Sequence, residues 1–324
     1  MTNDEDLAFF DRELASFLPD HVFDAHAHLW RKEHSGWSLD GMPDNLGLAE
    51  YSERMEEIHP GRQRGGLMIP FADVLIDDAT ARANRFVAEE IDGNASYFAD
   101  FFISPRDDPE WVQQEVRRLG MRGIKCYHTF ADCDSTWEAD IPEYLPESIV
   151  KVAHEENLVI TLHIVKSRGV ADPANIHWIR HYCETYPNMK LILAHSARGF
   201  QPSHNLEGLP QLRGLDNLYF DTSVNCEPIA HQAIIRNMGH EKLMYGSDFP
   251  VSHMRGLSLG AADSFLWIYE GNIAWEASYA KIPAVLVGLE HLRSIKWACW
   301  SEHLKDTAVE DLFYNNAARL FGLG

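Results

Sequence analysis

The residues best suited to chemistry in this chain are His26, His28, His163, His195 and Asp248, each close to the end of a short apolar run. In VFDAHAHL the two histidines stand two positions apart, so on a strand their side chains share one face. Two neutral imidazoles on one face make half of a metal site, although so short a motif also arises by chance and is suggestive only. His163 lies in ITLHIV, where a solitary histidine is more often a hydrogen-bonded core residue. Asp248, in LMYGSDFP, ends a run whose burial makes an unpaired carboxylate costly, which calls for a cation or strong donors beside it. Three neutral imidazoles and a carboxylate suit zinc, manganese or iron, with one position open for a water that ionises near neutral pH.

Further polar residues fall at equivalent places. His195, in LILAHSARGF, fits a general acid or base, with a second metal or a purely structural role as alternatives. Lys125, in GIKCYH, fits a substrate-anion contact, a carbamylated bridge between two metals, or a salt-bridged rim lysine. Arg198, three residues past His195, could clamp a substrate carboxylate through both arms of its guanidinium, or could cap a helix. Trp30 and Trp37 flank the loop after the first strand and could wall the site, though aromatics there more often pack. Glu227, Arg255 and Tyr127 hold similar positions with no stronger warrant. Cys126 and Cys226 neighbour the pocket, but nothing pairs either with a base, which argues against thiolate catalysis.

For these residues to meet, the chain must bring many strand ends together. Apolar or β-branched runs at 22–29, 65–71, 96–104, 121–128, 158–165, 190–197, 217–224 and 242–249 supply eight strands. Helix-like stretches at 77–92, 109–119, 143–156, 173–186 and 228–238 separate them, with Pro109, Pro142 and Pro173 suited to first turns. Near-continuous apolar strands between helices imply a parallel sheet covered on its outer face, which an open doubly wound sheet would also provide. The polar residues at successive strand ends favour closure into an α/β (β/α)8 TIM barrel, whose C-terminal strand ends converge on one pocket. After the eighth strand, 257–305 reads as mostly helical additions rich in tryptophan (Trp267, Trp275, Trp297, Trp300), and 307–322 as a terminal helix. The expectation is one domain over 1–324, with the barrel at about 22–249 and C-terminal helices at about 257–322.

Bulk properties narrow the partners. With 45% hydrophobic residues the chain has material for a large core, and no apolar run approaches the ~20 residues of a membrane span. A net charge of −21 repels phosphate backbones, so a small-molecule substrate is expected rather than nucleic acid or membrane. Five cysteines, odd in number and without CxxC spacing, and an acidic N-terminal stretch fit a reducing cytoplasm. A homodimer is a base-rate expectation.

Taken together, FDAHAHLW, RGIKCY, ITLHI, LILAHSARG, LYFDTSV, YGSDFPV and VEDLFYNNAARLFGL resemble the amidohydrolase superfamily, in particular its amidohydrolase-related branch, over about residues 22–322. The resemblance implies a distorted (β/α)8 barrel, with one divalent metal, zinc first and manganese or iron next, on His26, His28, His163 and Asp248. It implies that His195 assists catalysis and leaves a second metal on a carbamylated Lys125 as the lesser option. Members include hydrolases of amides, esters and lactones as well as non-oxidative decarboxylases. Some of those decarboxylases carry glutamate where this chain keeps His26, which favours hydrolysis slightly. The expected reaction is hydrolysis of a small carboxylated amide, ester or lactone: the metal activates water, Asp248 receives its proton, and His195 polarises the substrate or protonates the leaving group, with Lys125 and Arg198 as substrate contacts. The rivals are decarboxylation of an unsaturated or aromatic acid, and a non-catalytic barrel serving as a scaffold.

Overall fold

The eight apolar runs form eight parallel strands in a computed structural model that describes residues 2–36, 38, 41–271, 276–277, 280–281 and 283–323. They are β1 His21–Arg31, β2 Gln63–Pro70, β3 Tyr97–Phe102, β4 Gly123–Cys126, β5 Val159–Leu162, β6 Lys190–Leu193, β7 Leu218–Asp221 and β8 Leu243–Met244. Each pairs in parallel with the next in chain order. The ring closes where β1 meets the chain just beyond β8: Ala25 N–H donates to Tyr245 O (2.8 Å), Asp248 N–H to His26 O (2.7 Å) and His28 N–H to Phe249 O (3.0 Å). These bonds decide for a barrel over an open sheet, and they bring the ends of the first and eighth strands side by side. A two-residue strand, Asn45–Leu46, adds antiparallel to the end of β1.

Local chemistry explains the covering helices. Pro109–Leu119 starts with proline at its first position and Asp108 accepting from Glu110 N–H (2.9 Å). Pro173–Thr185 repeats the pattern, Asp172 accepting from Ala174 and Asn175. The helix expected over 143–156 is two pieces, Ile141–Tyr144 and Glu147–Glu155. Pro146 separates them, because a proline ring excludes the preceding Leu145 from helical geometry. The C-terminal helix is likewise segmented into Asp306–Glu310, a π-turn over Asp311–Asn315, and Asn316–Phe321.

The expectation of mostly helical additions over 257–305 is corrected. Gly256–Ala261 (β9) and Ser264–Tyr269 (β10) form an antiparallel hairpin, followed by a shorter pair, Glu276–Ala277 with Ala280–Lys281, and then a helix over Val287–Ser301. The hairpin sequence alternates side by side in the period of a strand, which overrides its tryptophan content. Trp267 is therefore on a strand, Trp297 and Trp300 are on the helix, and Trp275, like Trp37, lies outside the described residues. The N-terminal helix Asp4–Glu13 is tied to this region by buried Asp6, which accepts from Arg255 and from Leu286 N–H.

Candidate metal centre and its cavity

Three of the four expected metal ligands converge. The register of β1 on β2 slips by one residue between Asp24 and Ala27, a bulge of the kind that re-aims side chains beside functional sites. His26 sits within this bulge and His28 just beyond it, their rings 5.3 Å apart at the barrel's C-terminal end. Asp248 Oδ1 lies 3.5 Å from His26 Nε2 and 3.4 Å from His28 Nε2. Two donors bound at roughly 2.0–2.1 Å to one tetrahedral cation stand about 3.3–3.4 Å apart. The spacing thus fits a divalent ion with little adjustment, and a metal-donor atom from each of the three residues lies within 4.8 Å of the others.

Which nitrogen of His26 faces the other two donors is fixed from behind. Its Nδ1 lies 2.9 Å from Asp221 Oδ2, so the proton sits on Nδ1 and the Nε2 lone pair points at the cluster. Asp221 Oδ1 in turn accepts from the backbone N–H groups of His195 (3.0 Å) and Ser223 (3.0 Å) and from the Ser223 hydroxyl. Burial opposes ionisation of Asp221, yet His26, His195 and Ser223 bring its carboxyl to about 2. Asp248 behaves alike: burial opposes its charge, and His195, His28 and His26 outweigh burial, holding it well below the usual carboxylate range. Burial depresses His26 and His28, aided by Lys125 and opposed by the carboxylates, so both imidazoles are neutral, as metal ligation requires.

His163 stands beside this cluster, engaged in a chain of hydrogen bonds. His195 Nδ1 lies 3.1 Å from Ser223 O, which can only accept, so Nδ1 carries the proton. His195 Nε2 then accepts from His163 Nδ1 (2.9 Å), and His163 Nε2 accepts from Arg198 Nη1 (3.4 Å). His195 Nδ1 is also 3.9 Å from Asp248 Oδ2, which links the chain to the cluster. Burial lowers His163 well below its ordinary value, with His195 and Arg198 adding to the effect.

Arg198 and His195 belong to an unusual turn after β6. His195, Ser196, Ala197 and Arg198 all adopt left-handed backbone angles, φ 57, 52, 58 and 55°, where L-residues cost roughly 1–2 kcal/mol each. Buried partners hold the turn: Asn205 Nδ2 donates to Ser196 O (2.7 Å), Asn225 Nδ2 to His195 O (3.2 Å), and Ser196 Oγ meets His231 Nδ1 (2.8 Å). The result places the guanidinium of Arg198 between the rings of Trp137 (5.1 Å) and Phe265 (5.5 Å). No carboxylate pairs with it among the contacts of the described residues.

Lys125 is buried on the cavity floor. Burial lowers its pKa, while Asp221, Cys126, Asp100 and Asp248 pull it back up. Tyr127 lines the cavity with its hydroxyl pushed up to about 12 by burial. Trp30 instead packs on Phe249 (5.9 Å) within the core. Glu227 accepts from Gly260 N–H (2.6 Å) and Arg255 pairs with Asp6, so both serve the scaffold. Burial pushes Cys126 and Cys226 up to about 12, in keeping with inert thiols.

Sequence reasoning missed two carboxylates. Asp221 ends β7 in LYFDTSV and orients His26. Asp24 accepts from Ser247 N–H (2.7 Å), Tyr51 O–H (2.7 Å) and His26 N–H (3.1 Å), which clips β1 to the chain before Asp248. Burial raises Asp24 to about 6. For both, the available signal was an acid that directly follows an apolar strand run, Val22 and Phe23 before Asp24, and Leu218, Tyr219 and Phe220 before Asp221.

Above the cluster opens a cavity of about 540 Å³ whose walls include His26, His28, Lys125, His163, His195, Arg198 and Asp248. It therefore gathers all the candidate site residues.

A family model described as amidohydrolase matches residues 23–323. A search of curated proteins returns no match. Among solved structures, an amidohydrolase from Burkholderia multivorans with bound HEPES is similar at a TM-score of 0.62 and 15% identity, covering 94% of this chain and 99% of that one. An Acinetobacter baumannii protein described as a probable 2-pyrone-4,6-dicarboxylic acid hydrolase, with citric acid bound, is similar at 0.59 and 14%, covering 93% and 99%. A 5-carboxyvanillate decarboxylase from Sphingomonas paucimobilis is similar at 0.56 and 13%, covering 94% and 100%.

Proposed function

The chain belongs to the amidohydrolase family, and on that premise we propose that it is a metal-dependent hydrolase of a small amide, ester or lactone that carries a carboxylate. The observation that supports this most is the triangle of His26 Nε2, His28 Nε2 and Asp248 Oδ1, spaced for one tetrahedral cation. His26, His28 and Asp248 would hold the ion, with His163 as the fourth ligand, which would have to release its bonds to His195 and Arg198 to serve. Zinc is the proposed ion: the B. multivorans amidohydrolase has also been solved with bound zinc, and a Novosphingobium aromaticivorans 5-carboxyvanillate decarboxylase with manganese. When bound, such a cation polarises a carbonyl and lets water ionise near neutral pH.

The protein's own groups divide the remaining work. Asp248, ionised and at the cavity floor, accepts the proton of the attacking water. His195, 3.9 Å from Asp248 Oδ2, polarises the substrate or passes a proton to the leaving group. Arg198, a cation set against the rings of Trp137 and Phe265 and the imidazole of His163, takes the substrate carboxylate in a bidentate pair. Lys125 supplies a fixed positive charge against Asp221 and Asp248, a role we favour over a carbamylated bridge to a second metal. A small-molecule substrate suits a concave site of about 540 Å³ in a chain of net charge −21. No helix of the described residues is long and apolar enough to cross a membrane, and five free cysteines accord with a cytoplasmic setting.

Zinc-loaded protein assayed against carboxylated esters, amides and lactones tests this reading. Turnover that Asp248→Asn removes while the fold persists is expected; near-normal turnover in that variant discards the assignment. The likeness to a 5-carboxyvanillate decarboxylase motivates the second reading, decarboxylation of an aromatic acid, which release of carbon dioxide would distinguish.

A further inference from the structure

The hairpin that follows the barrel does more than cover it. Phe265, Trp267 and Tyr269 occupy alternate positions on β10, so their side chains share one face. All three line the cavity above the metal cluster. Phe200, from the loop after β6, stacks on Phe265 (4.6 Å, 24° between planes) and meets Trp267 edge-on (5.5 Å). Trp267 and Tyr269 lie nearly parallel (5.4 Å, 8°). Since the ring of Phe200 is 5.6 Å from that of His195, the aromatic wall runs without a break from the reacting end of the cavity through Phe265 and Trp267 to Tyr269.

The hairpin is anchored at defined points, which makes the wall a built surface. Glu227 Oε1 accepts from Gly260 N–H on β9, and Gln201 Nε2 donates to Ala262 O at the turn (2.6 Å each). On the far side of the strand, Leu266 is exposed. The aromatic side chains thus gather on the cavity face while the opposite face looks outward.

We propose that this wall is a specificity subsite for a planar aromatic group, so that the substrate is an aromatic carboxylic acid derivative whose ring lies along Phe265 and Trp267 while its carboxylate meets Arg198. The proposal rests on Arg198 as the carboxylate anchor argued above and names the body attached to that carboxylate. Three observations converge on it. The guanidinium of Arg198 is itself held 5.5 Å from the Phe265 ring, so an anion bound there is delivered to the edge of the wall. A cavity of about 540 Å³ matches those that enclose drug-sized ligands and exceeds the needs of a short aliphatic acid. Ring pairs with centroids 4.5–7 Å apart gain energy beyond area burial, so rings already parallel to one another offer a planar ligand a further stacking partner.

The test is binding, measured by titration calorimetry on zinc-loaded and on metal-free protein, with three acids as probes: 2-naphthoate, cyclohexanecarboxylate and propionate. Naphthoate is expected to bind at least about tenfold more tightly than propionate and more tightly than the non-planar cyclohexane acid. Trp267→Leu should reduce the naphthoate advantage about fivefold or more while leaving propionate within about twofold, whereas Phe265→Leu, which also removes the ring held against Arg198, should reduce the naphthoate advantage by a similar factor and weaken all three acids besides. Tyr269→Leu stands in if either variant fails to fold by circular dichroism. Arg198→Met should weaken all three acids together. Equal affinity for naphthoate and propionate, or an advantage that survives the wall variants, overturns the proposal. Because no turnover is involved, failure here leaves hydrolysis untouched, and absence of hydrolysis leaves the wall untouched.

Discussion

Replacing Asp221 by asparagine isolates the contact that aims His26 at the metal. In the native protein Asp221 Oδ2 accepts from His26 Nδ1 at 2.9 Å, while Oδ1 accepts from two backbone N–H groups and the Ser223 hydroxyl. Asparagine keeps the shape but has one accepting oxygen. Turned toward the three donors, which preserves more bonds, it presents its NH2 group to His26 Nδ1. Nδ1 must then accept, the imidazole proton moves to Nε2, and the ligand lone pair is lost. Turned the other way, His26 keeps its tautomer but trades a charge-assisted bond for a neutral one, a loss of about 1–1.5 kcal/mol. Loss of such an orienting partner typically weakens metal binding about 10–100-fold, or about 1.4–2.7 kcal/mol, and the tautomer argument places Asp221→Asn at the upper end. Zinc affinity measured by competition with a chromophoric chelator, with circular dichroism to verify folding, reads this directly. An affinity within about twofold of wild type would refute the claim that Asp221 sets the tautomer.

Other outcomes follow from the same geometry. Asp248→Asn should lower the melting temperature of the metal-free protein, because the native contacts that hold this carboxyl well below the usual range are lost, while the fold persists and kcat on any identified substrate falls by at least about 100-fold, checked by steady-state kinetics. Asn205→Ala leaves the Ser196 carbonyl without its partner and should cost about 1–3 kcal/mol in chemical denaturation, with weaker carboxylate binding as the left-handed turn loosens and Arg198 shifts. Stability of the metal-free protein should fall as pH drops from about 6.5 toward 4. Buried His231 and His253 are brought down to about 4, chiefly by desolvation, and His59 and His291 lie well below their ordinary value. In that window the unfolded chain binds more protons at these sites, so protonation favours unfolding, by about 1.4 kcal/mol per pH unit for each extra proton. Asp24 and Asp100, raised to about 6 and 7 by burial, act with opposite sign but are fewer. Thermal melts in excess chelator across this range check the slope, and a flat profile would contradict it.

Much of this was legible in the sequence because the barrel ties function to strand ends. His26 and His28 were recoverable from the period of two, and Asp248 from the cost of an acid at the end of an apolar run. The convergence of these three across the closure of β1 on the chain after β8 follows from counting eight strands. His163 lines the cavity that its strand position predicts, but its engagement with His195 and Arg198 depends on tautomers and on a left-handed turn that no local propensity announces. Asp221 and Asp24 escaped notice because each acts on a partner about 200 positions away, through bonds to backbone and imidazole that leave no spacing pattern. The hairpin is less legible because its strands are short and only the alternation of Phe265, Trp267 and Tyr269, not the tryptophan-rich composition, distinguishes strand from helix there.

The central claim is that one divalent cation sits among His26, His28 and Asp248. Anomalous diffraction at the zinc edge, from crystals grown with zinc, tests it most directly. A single strong peak about 2.0–2.2 Å from His26 Nε2, His28 Nε2 and a carboxylate oxygen of Asp248 is predicted. A protein that takes up zinc elsewhere, or whose three side chains hold no anomalous scatterer between them, would contradict the account.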